Sequence, residues 1–150
     1  MYTTKEFAVQ MEGSSGSFGK VCQALTNGGV NILALHHSTP TETKGLVRFV
    51  VDDPVSARKV LEGERLAYTE AEVAKLPHRP GELARSLSKL GEASIKVSHA
   101  YCGVEPSTSA PLLILGVSEV NRAIAVIDPT GAVAMAAPSV AVIDPMGGAV

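Results

Sequence analysis

The sequence has few of the residues that mark the more specialised classes of protein. It contains no tryptophan, only 4% aromatic residues, and two cysteines, Cys22 and Cys102. Two cysteines do not make a disulfide framework, so a reduced cytoplasmic protein is the simplest interpretation. The formal net charge is −2 at pH 7, with both signs interspersed. This balance lacks the basic surface of a nucleic-acid-binding protein, and we expect no nucleic-acid partner.

Long hydrophobic runs and targeting segments are also missing. The longest uncharged run, residues 129–143, is interrupted by Pro138 and is too short to span a bilayer. Residues 1–10 resemble neither a signal peptide nor a transit peptide. We therefore expect a cytoplasmic protein with no membrane partner.

The groups that an enzyme needs do not form a recognisable motif. The Gly/Ser loop before Lys20 lacks the adjacent Gly-Lys-Ser/Thr of a phosphate-binding loop. The carboxylates Asp52 and Asp53 are better explained as the start of a helix, with Asp53 as the N-cap and Pro54 at the first helical position. Since no nucleophile with a neighbouring base is evident either, we expect no catalysis and no cofactor.

A metal site is equally poorly supported. His36, His37, His99 and Cys102 lie near the ends of two equivalent predicted strands, but their spacing is not a ligand signature. Adjacent histidines on a strand point to opposite faces, so solvated or packed side chains are the better interpretation. Copper-carrier domains need a paired Cys-x-x-Cys near the first turn, whereas only Cys22 is near it. We expect no metal.

An internal repeat is what the sequence does contain. The segments Met11–Ile32 and Leu76–Val97 match at a shift of 65 residues, which carries Gly16 onto Gly81. The same shift pairs apolar residues with apolar residues: Phe18 with Leu83, Leu25 with Leu90, Val30 with Ile95, and Ile32 with Val97. Both segments have the pattern of a strand, a glycine turn, an amphipathic helix that begins just after the glycine, and a second strand.

Each repeat is predicted to have the order β-α-β-β-α-β. The strands expected in repeat one are 6–11, 30–35, 46–51 and the first part of 66–76, with a polar connection over 36–44. Those expected in repeat two are 72–76, 95–101, 111–117 and 132–136, and Ser118 is expected to cap the last helix. This order predicts an α+β fold of two ferredoxin-like repeats, each an antiparallel sheet with its helices on one face.

The repeat sets the predicted domain boundaries. Repeat one spans residues 1–70, repeat two spans 71–137, and 138–150 form a tail. The tail repeats the letters AVIDP, found at 125–129 and again at 141–145. This is either a chance echo in Ala/Val-rich sequence or the mark of an added edge strand or dimer arm.

The two repeats resemble the ACT domain, the small-ligand regulatory module of amino-acid metabolism. The turn at Arg79-Pro80-Gly81 looks like that of the family, Leu83–Leu90 like its first helix, and Gly29-Val30-Asn31-Ile32 like its second strand. The resemblance covers about residues 5–137. It implies a stand-alone, non-catalytic tandem ACT protein that binds a free amino acid at the interface between ACT repeats. Because small sheets with free edges tend to pair, we also expect an intramolecular ACT pair that forms a homodimer.

The resemblance also implies ligand-binding residues. In the family, a site commonly joins the turn of one module to strand two of its neighbour. The better-matched combination is His78, Arg79 and Gly81 with Asn31. The other is Ser14, Ser15 and Gly16 with Lys96, where the family pattern is kept less well.

The chemistry of these residues suits an amino acid. Backbone N–H groups at Gly81 and Glu82, or at Gly16 and Ser17, are expected to bind a carboxylate at a helix N-terminus. The side chain of Asn31, next to Ile32, offers both a donor and an acceptor. The alternative is that these residues only shape tight turns.

Two other functions share the predicted fold. RNA-recognition domains stack bases on strand aromatics, but Phe49 is the only aromatic in a predicted third strand and the net charge is negative. The stronger alternative is an assembly protein that uses its sheet edges to oligomerise without a small-molecule ligand.

Overall fold

The computed structural model of the protein describes residues 2–12 and 15–129, which fall into two compact units. The first unit holds residues 5–71, and the second holds 72–129 together with 2–4. The predicted strand at 132–136 and the tail 138–150 lie outside the described residues. The elements in chain order are β1 (Tyr2–Glu12), α1 (Ser15–Asn27), β2 (Ile32–Thr41), β3 (Lys44–Val51), α2 (Pro54–Gly63), β4 (Tyr68–Pro77), α3 (Glu82–Glu92), β5 (Val97–Val104), β6 (Pro111–Val117) and α4 (Val120–Ile127).

The sheet of the first unit is built around β3, which pairs antiparallel with β1 on one side and β2 on the other. The predicted alternation in β1 is confirmed, because Phe7 and Val9 are fully buried while Gln10 is exposed. Phe7 stacks on its register partner Phe49, with ring centroids 5.6 Å apart. Helices α1 and α2 add Val21, Leu25, Ala57 and Leu61 to the same core.

The second unit has the same plan around β6. This strand pairs antiparallel with β4 and β5, and its residues Leu112–Leu115 are buried. A nearly continuous apolar run is typical of a strand that is covered on both faces. Its core joins Leu76 of β4, Leu90 of α3, Ile95, and Ile127 of α4.

The second strand of the first unit is longer than predicted. The polar stretch 36–44 was expected to be a connection, but β2 continues to Thr41 and only Glu42 and Thr43 form the turn before β3. Polar side chains persist there because the outer part of β2 is half-buried or exposed. Pro40 is tolerated because the register shifts between Ser38 and Thr41, where no regular ladder bond is needed.

Strand β4 also differs in detail from the prediction. The stretch 66–76 was expected to contain the last strand of one repeat followed by the first strand of the next. It forms one continuous strand, Tyr68–Pro77, of which 68–71 belong to the first unit and 72–77 to the second. In the second unit, β5 begins at Val97 and extends to Val104, beyond the predicted end at Tyr101.

The helix starts follow the predicted chemistry in one case and not in another. At α2, the Asp53 carboxylate accepts hydrogen bonds from the N–H (3.1 Å) and hydroxyl (2.6 Å) of Ser56, and Pro54 follows it. These bonds lower the pKa of Asp53. At α4 the predicted cap is wrong: Glu119 occupies the cap position, and Ser118 instead accepts a hydrogen bond from the N–H of Lys96 (3.2 Å).

Three helices end in the same left-handed turn. Gly29, Arg65 and Ser94 all have positive φ, at 75°, 56° and 57°. In each case the next residue donates its N–H back into the last turn of the helix, as Val30 does to the carbonyl of Leu25 at 3.0 Å and Ile95 does to Leu90 at 2.9 Å. This satisfies carbonyls that a helix end leaves open.

Candidate functional site

The start of α3 has the predicted geometry. Gly81 precedes the first helical residue and has φ of 81°, a left-handed conformation that glycine adopts without steric cost. A Cβ at this position would meet nothing within 4 Å, so the space beside the turn is open. His78 and Arg79 are exposed next to it, and the N–H of His78 donates to the carbonyl of Pro111 (3.1 Å).

The start of α1 does not have this geometry. The helix begins at Ser15, so Gly16 and Ser17 are its second and third residues rather than a turn that precedes it. The prediction that α1 begins just after Gly16 is therefore wrong, because glycine and serine are accommodated in a first turn. Gly16 is exposed and Ser17 is half-buried.

The N–H of Glu82 is not available for a ligand, contrary to prediction. It donates to the carbonyl of Arg79 at 3.0 Å and closes the turn that brings the chain into α3. The side chain of Glu82 is only 8% exposed and lies at the same helix start. Its Oε2 accepts hydrogen bonds from Arg85 Nη2 (2.5 Å) and Ser86 Oγ (3.1 Å). The favourable position for an anion at the N-terminus of α3 is thus taken by a carboxylate of the chain itself.

Two effects act on the acidity of Glu82. Burial raises the pKa of a carboxyl group, but the hydrogen bond and positive charge of Arg85, the hydrogen bond from Ser86 and the charge of Arg79 outweigh it. The pKa of Glu82 is therefore lower than its ordinary value. Arg85 also donates through Nη1 to the carbonyl of Ile127 (2.9 Å), so the ion pair connects the start of α3 to the end of α4.

The main chains of Asn31 and Lys96 are engaged in equivalent ways. The N–H of Asn31 donates to Asp52 Oδ1 (2.9 Å), and its carbonyl accepts from the N–H of Asp52 (3.1 Å). Lys96 makes the corresponding pair with Ser118, at 3.2 and 3.0 Å. Asn31 and Lys96 are both exposed, so their side chains are what they can offer a ligand. Ile32 begins β2 and packs against the core of the first unit.

Within neither unit do the turn residues meet the strand residues. Gly16 and Asn31 lie at opposite ends of α1, whose 13 residues span about 20 Å at 1.5 Å per residue. Gly81 and Lys96 are separated in the same way by the 11 residues of α3. The pairing of turn and strand that the family resemblance implies stays a prediction.

The structure reveals a cavity that the sequence did not. It lies in the first unit beside the first turns of α1 and has a volume of about 420 Å³. The cavity is lined by Met11, Glu12, Ser17, Lys20, Val21, Glu64 and Leu66. Of these, only Ser17 was predicted as a site residue. The others come from the end of β1, the body of α1 and the segment between α2 and β4, and no periodicity in the sequence connects them.

Two of the four histidines pack against aromatic rings. His37 stacks on Phe18, with ring centroids 4.4 Å apart, and His99 lies 6.1 Å from Tyr101 in a stacked arrangement. Within residues 2–12 and 15–129, no group of three His, Cys, Asp or Glu side chains could hold a metal ion. No helix in this part of the chain is long and apolar enough to cross a membrane.

No protein-family model and no curated protein sequence matches the chain. Solved structures do match. Protein BT0572 from Bacteroides thetaiotaomicron is 23% identical, with a TM-score of 0.73 over 85% of this chain and 88% of that one. The ligand-free regulatory subunit of aspartate kinase from Thermus thermophilus is 13% identical, with a TM-score of 0.56 over 85% and 91%. The same subunit from Thermus flavus is 12% identical, with a TM-score of 0.58 over the same shares.

These similarities establish the fold. The chain has the α+β fold of the aspartate kinase regulatory subunits, with antiparallel strand pairing and, in the described residues, four helices. The match extends over most of both chains. At these sequence identities, a common fold does not identify the ligand. The ligand has to be argued from the residues of this chain.

Proposed function

We propose that the chain is a non-catalytic regulatory module, made of two ACT repeats, that binds a free amino acid. The observation that carries this proposal is the fold shared with regulatory subunits of aspartate kinase over 85% of the chain. The sequence resemblance to ACT domains adds the class of ligand. The absence of a catalytic motif from the sequence agrees with a binding role.

Equivalent irregularities in the two units support a tandem repeat. The β2–β3 ladder shifts register between Ile32 and Ala34, and the β5–β6 ladder shifts between Val97 and His99, which lie 65 positions later. Gly29 and Ser94, also 65 positions apart, both have positive φ. A shared bulge and a shared helix end are not required by the antiparallel plan alone. They favour the division into repeats 1–70 and 71–137.

Among the residues that the resemblance implies, Asn31, His78, Arg79 and Gly81 remain our proposed ligand contacts. The side chains of Asn31, His78 and Arg79 are exposed, and the turn at Gly81 opens onto free space. Lys96 carries donors only, so it cannot accept from an ammonium group. A site that depends on Lys96 is expected to bind a zwitterion more weakly than one that depends on Asn31.

A thermal-shift screen of the twenty amino acids at millimolar concentration tests the proposal. A ligand at a hundredfold its dissociation constant stabilises the folded chain by about 2.7 kcal/mol. We expect at least one amino acid to raise the melting temperature. If none does, the ligand-free assembly function becomes the better explanation of the fold.

We also propose that the module forms a homodimer. The family resemblance supports this, since small regulatory modules of this kind are expected to assemble, and the chain mass is 15.5 kDa. Light scattering on the purified protein, with and without the amino acid found by the screen, is expected to show twice that mass. A monomer under both conditions would contradict the dimer and would also remove the assembly alternative.

A further inference from the structure

The cavity beside α1 has the size of a small-molecule site. Its volume of about 420 Å³ lies within the range of about 300–1,000 Å³ that is usual for ligand pockets. Met11, Val21 and Leu66 give it apolar walls, while Glu12, Lys20 and Glu64 bring charges to it. Apolar walls with a few polar groups are the usual composition of a site that recognises a small molecule.

The three charged side chains of this cavity do not take part in the ion pairs that stabilise the described part of the fold. In the described part of the chain, Glu12, Lys20 and Glu64 make no ion pair and no side-chain hydrogen bond with one another or with other residues. Lys44 is the register partner of Glu12 on β3, but it does not line the cavity. Other charges of this unit do pair, as Arg58 does with Glu70 at 2.6 Å.

On the basis of the proposed function, we propose that this cavity is a second site, lined by none of the contacts proposed above, and that it binds a basic amino acid. The cavity offers one cation, Lys20, and two anions, Glu12 and Glu64. The complementary ligand carries one anion and two cations, which describes an amino acid whose side chain ends in a cationic group. Lys20 binds the ligand carboxylate, and the two glutamates bind its two cationic groups.

The apolar residues complete the match. An aliphatic stem between the two cationic ends of the ligand packs against Met11, Val21 and Leu66. An acidic amino acid or a phosphate would place a second negative charge beside two glutamates, which disfavours it. A neutral amino acid would satisfy Lys20 and one glutamate and leave the other without a partner. A linear diamine would leave Lys20 without one.

Calorimetry with L-lysine as the probe tests the assignment. We expect Lys20→Met, Glu12→Gln and Glu64→Gln each to weaken binding by about three- to tenfold, since these groups are exposed and partly screened by solvent. L-Norleucine, which has the same stem without the terminal ammonium, and cadaverine, which lacks the carboxylate, are expected to bind more weakly by similar factors. Raising the ionic strength should weaken L-lysine more than L-norleucine.

Matched controls separate the cavity from general charge effects. Lys59→Met and Glu42→Gln change exposed charges of the same unit that do not line the cavity, and should leave binding within about twofold. Circular dichroism and the melting temperature without ligand confirm that every variant folds.

The outcomes distinguish this assignment from the proposed function. Binding of L-lysine that is unchanged in all three cavity variants would overturn the assignment. A shift of the melting temperature by other amino acids, but by no basic amino acid, would also overturn the assignment. The proposed function would stand in that case. If none of the twenty amino acids binds, both proposals fail.

Discussion

Asn31 and Asp52 exchange two hydrogen bonds, one through the carboxylate of Asp52 and one through its N–H. The exchange fastens the start of β2 to the residue that follows β3, just where the register of the ladder shifts. Lys96 and Ser118 make the same exchange in the second unit with a hydroxyl in place of a carboxylate. The residue after the third strand of each unit thus holds the main chain of Asn31 or of its equivalent, Lys96, in place.

Asp52→Ala is expected to lower the free energy of unfolding by about 0.5–1.5 kcal/mol, the net value of one hydrogen bond. Asp52→Asn keeps an acceptor oxygen and should recover most of that loss. Urea unfolding of the two variants measures the difference. Equal losses in both would show that the charge of Asp52, rather than its hydrogen bond to Asn31, matters there.

The ion pair between Lys75 and Glu105 is part-buried in the second unit. The two side chains are 13% and 5% exposed, and Nζ lies 3.3 Å from Oε1. Lys75→Met should lower the free energy of unfolding by about 1.5–3 kcal/mol, because it removes a charged donor that bonds to the buried Glu105 carboxylate. The double variant Lys75→Met with Glu105→Leu should be more stable than the single variant. A double-mutant cycle by denaturant unfolding measures the coupling, and simple additivity would contradict it.

Ser94 and Gly29 form a natural pair for testing the helix ends. Ser94 holds φ of 57° at a position where glycine is preferred, so Ser94→Gly is expected to stabilise the protein by about 0.5–1 kcal/mol. Gly29→Ser should destabilise the protein, because serine is strained at a φ of 75°. The size of the effect should be similar, because a Cβ at Gly29 would meet nothing within 4 Å. Thermal unfolding of both variants checks the opposite signs. Changes of the same sign would show that side-chain contacts outweigh backbone conformation.

Low pH should reduce the stability that Glu82 contributes at the start of α3. The pKa of Glu82 is lowered in the folded protein from an ordinary value of 4.5, so its contribution to stability is present above that value. The contribution is lost as the pH falls through the lower folded pKa. Glu70, bonded to Arg58, and Asp53 have lowered pKa values and act in the same direction.

Denaturant unfolding between pH 6 and pH 3 measures this loss. Glu82→Gln should be less stable than the wild type at pH 6, and the difference should shrink as the pH falls. The exposed Glu92→Gln serves as the control and should run parallel to the wild type. A constant difference between Glu82→Gln and wild type would show that the carboxylate charge is not what stabilises the helix start.

Local sequence signals were sufficient to predict structure where neighbouring residues of one segment determine its conformation. Asp53-Pro54 begins α2 because the cap and the ring act on adjacent residues, and Gly81 begins α3 because only a left-handed residue closes that turn. The alternation of β1 was predictable because one face of it is buried.

The sequence failed where the partner is distant. Polar residues 36–41 form a strand because β3 pairs with them, and pairing leaves no mark in their own composition. Ser118 bonds to Lys96, which is distant in the sequence, instead of capping α4. The cavity needs the end of β1, the helix α1 and the residues Glu64 and Leu66 together, and their proximity results from the packing of the unit alone.

The two cysteines are divided between the units, Cys22 on α1 of the first and Cys102 on β5 of the second. Cys102 is exposed, while Cys22 is half-buried and burial raises the pKa of its thiol. A thiol reagent should therefore modify Cys102 first, since the thiolate is the reactive form. Without any engineering, the chain carries one attachment point for a spectroscopic label in each unit. The rate at which the reagent modifies Cys22 reports on the opening of α1, the helix that borders the cavity.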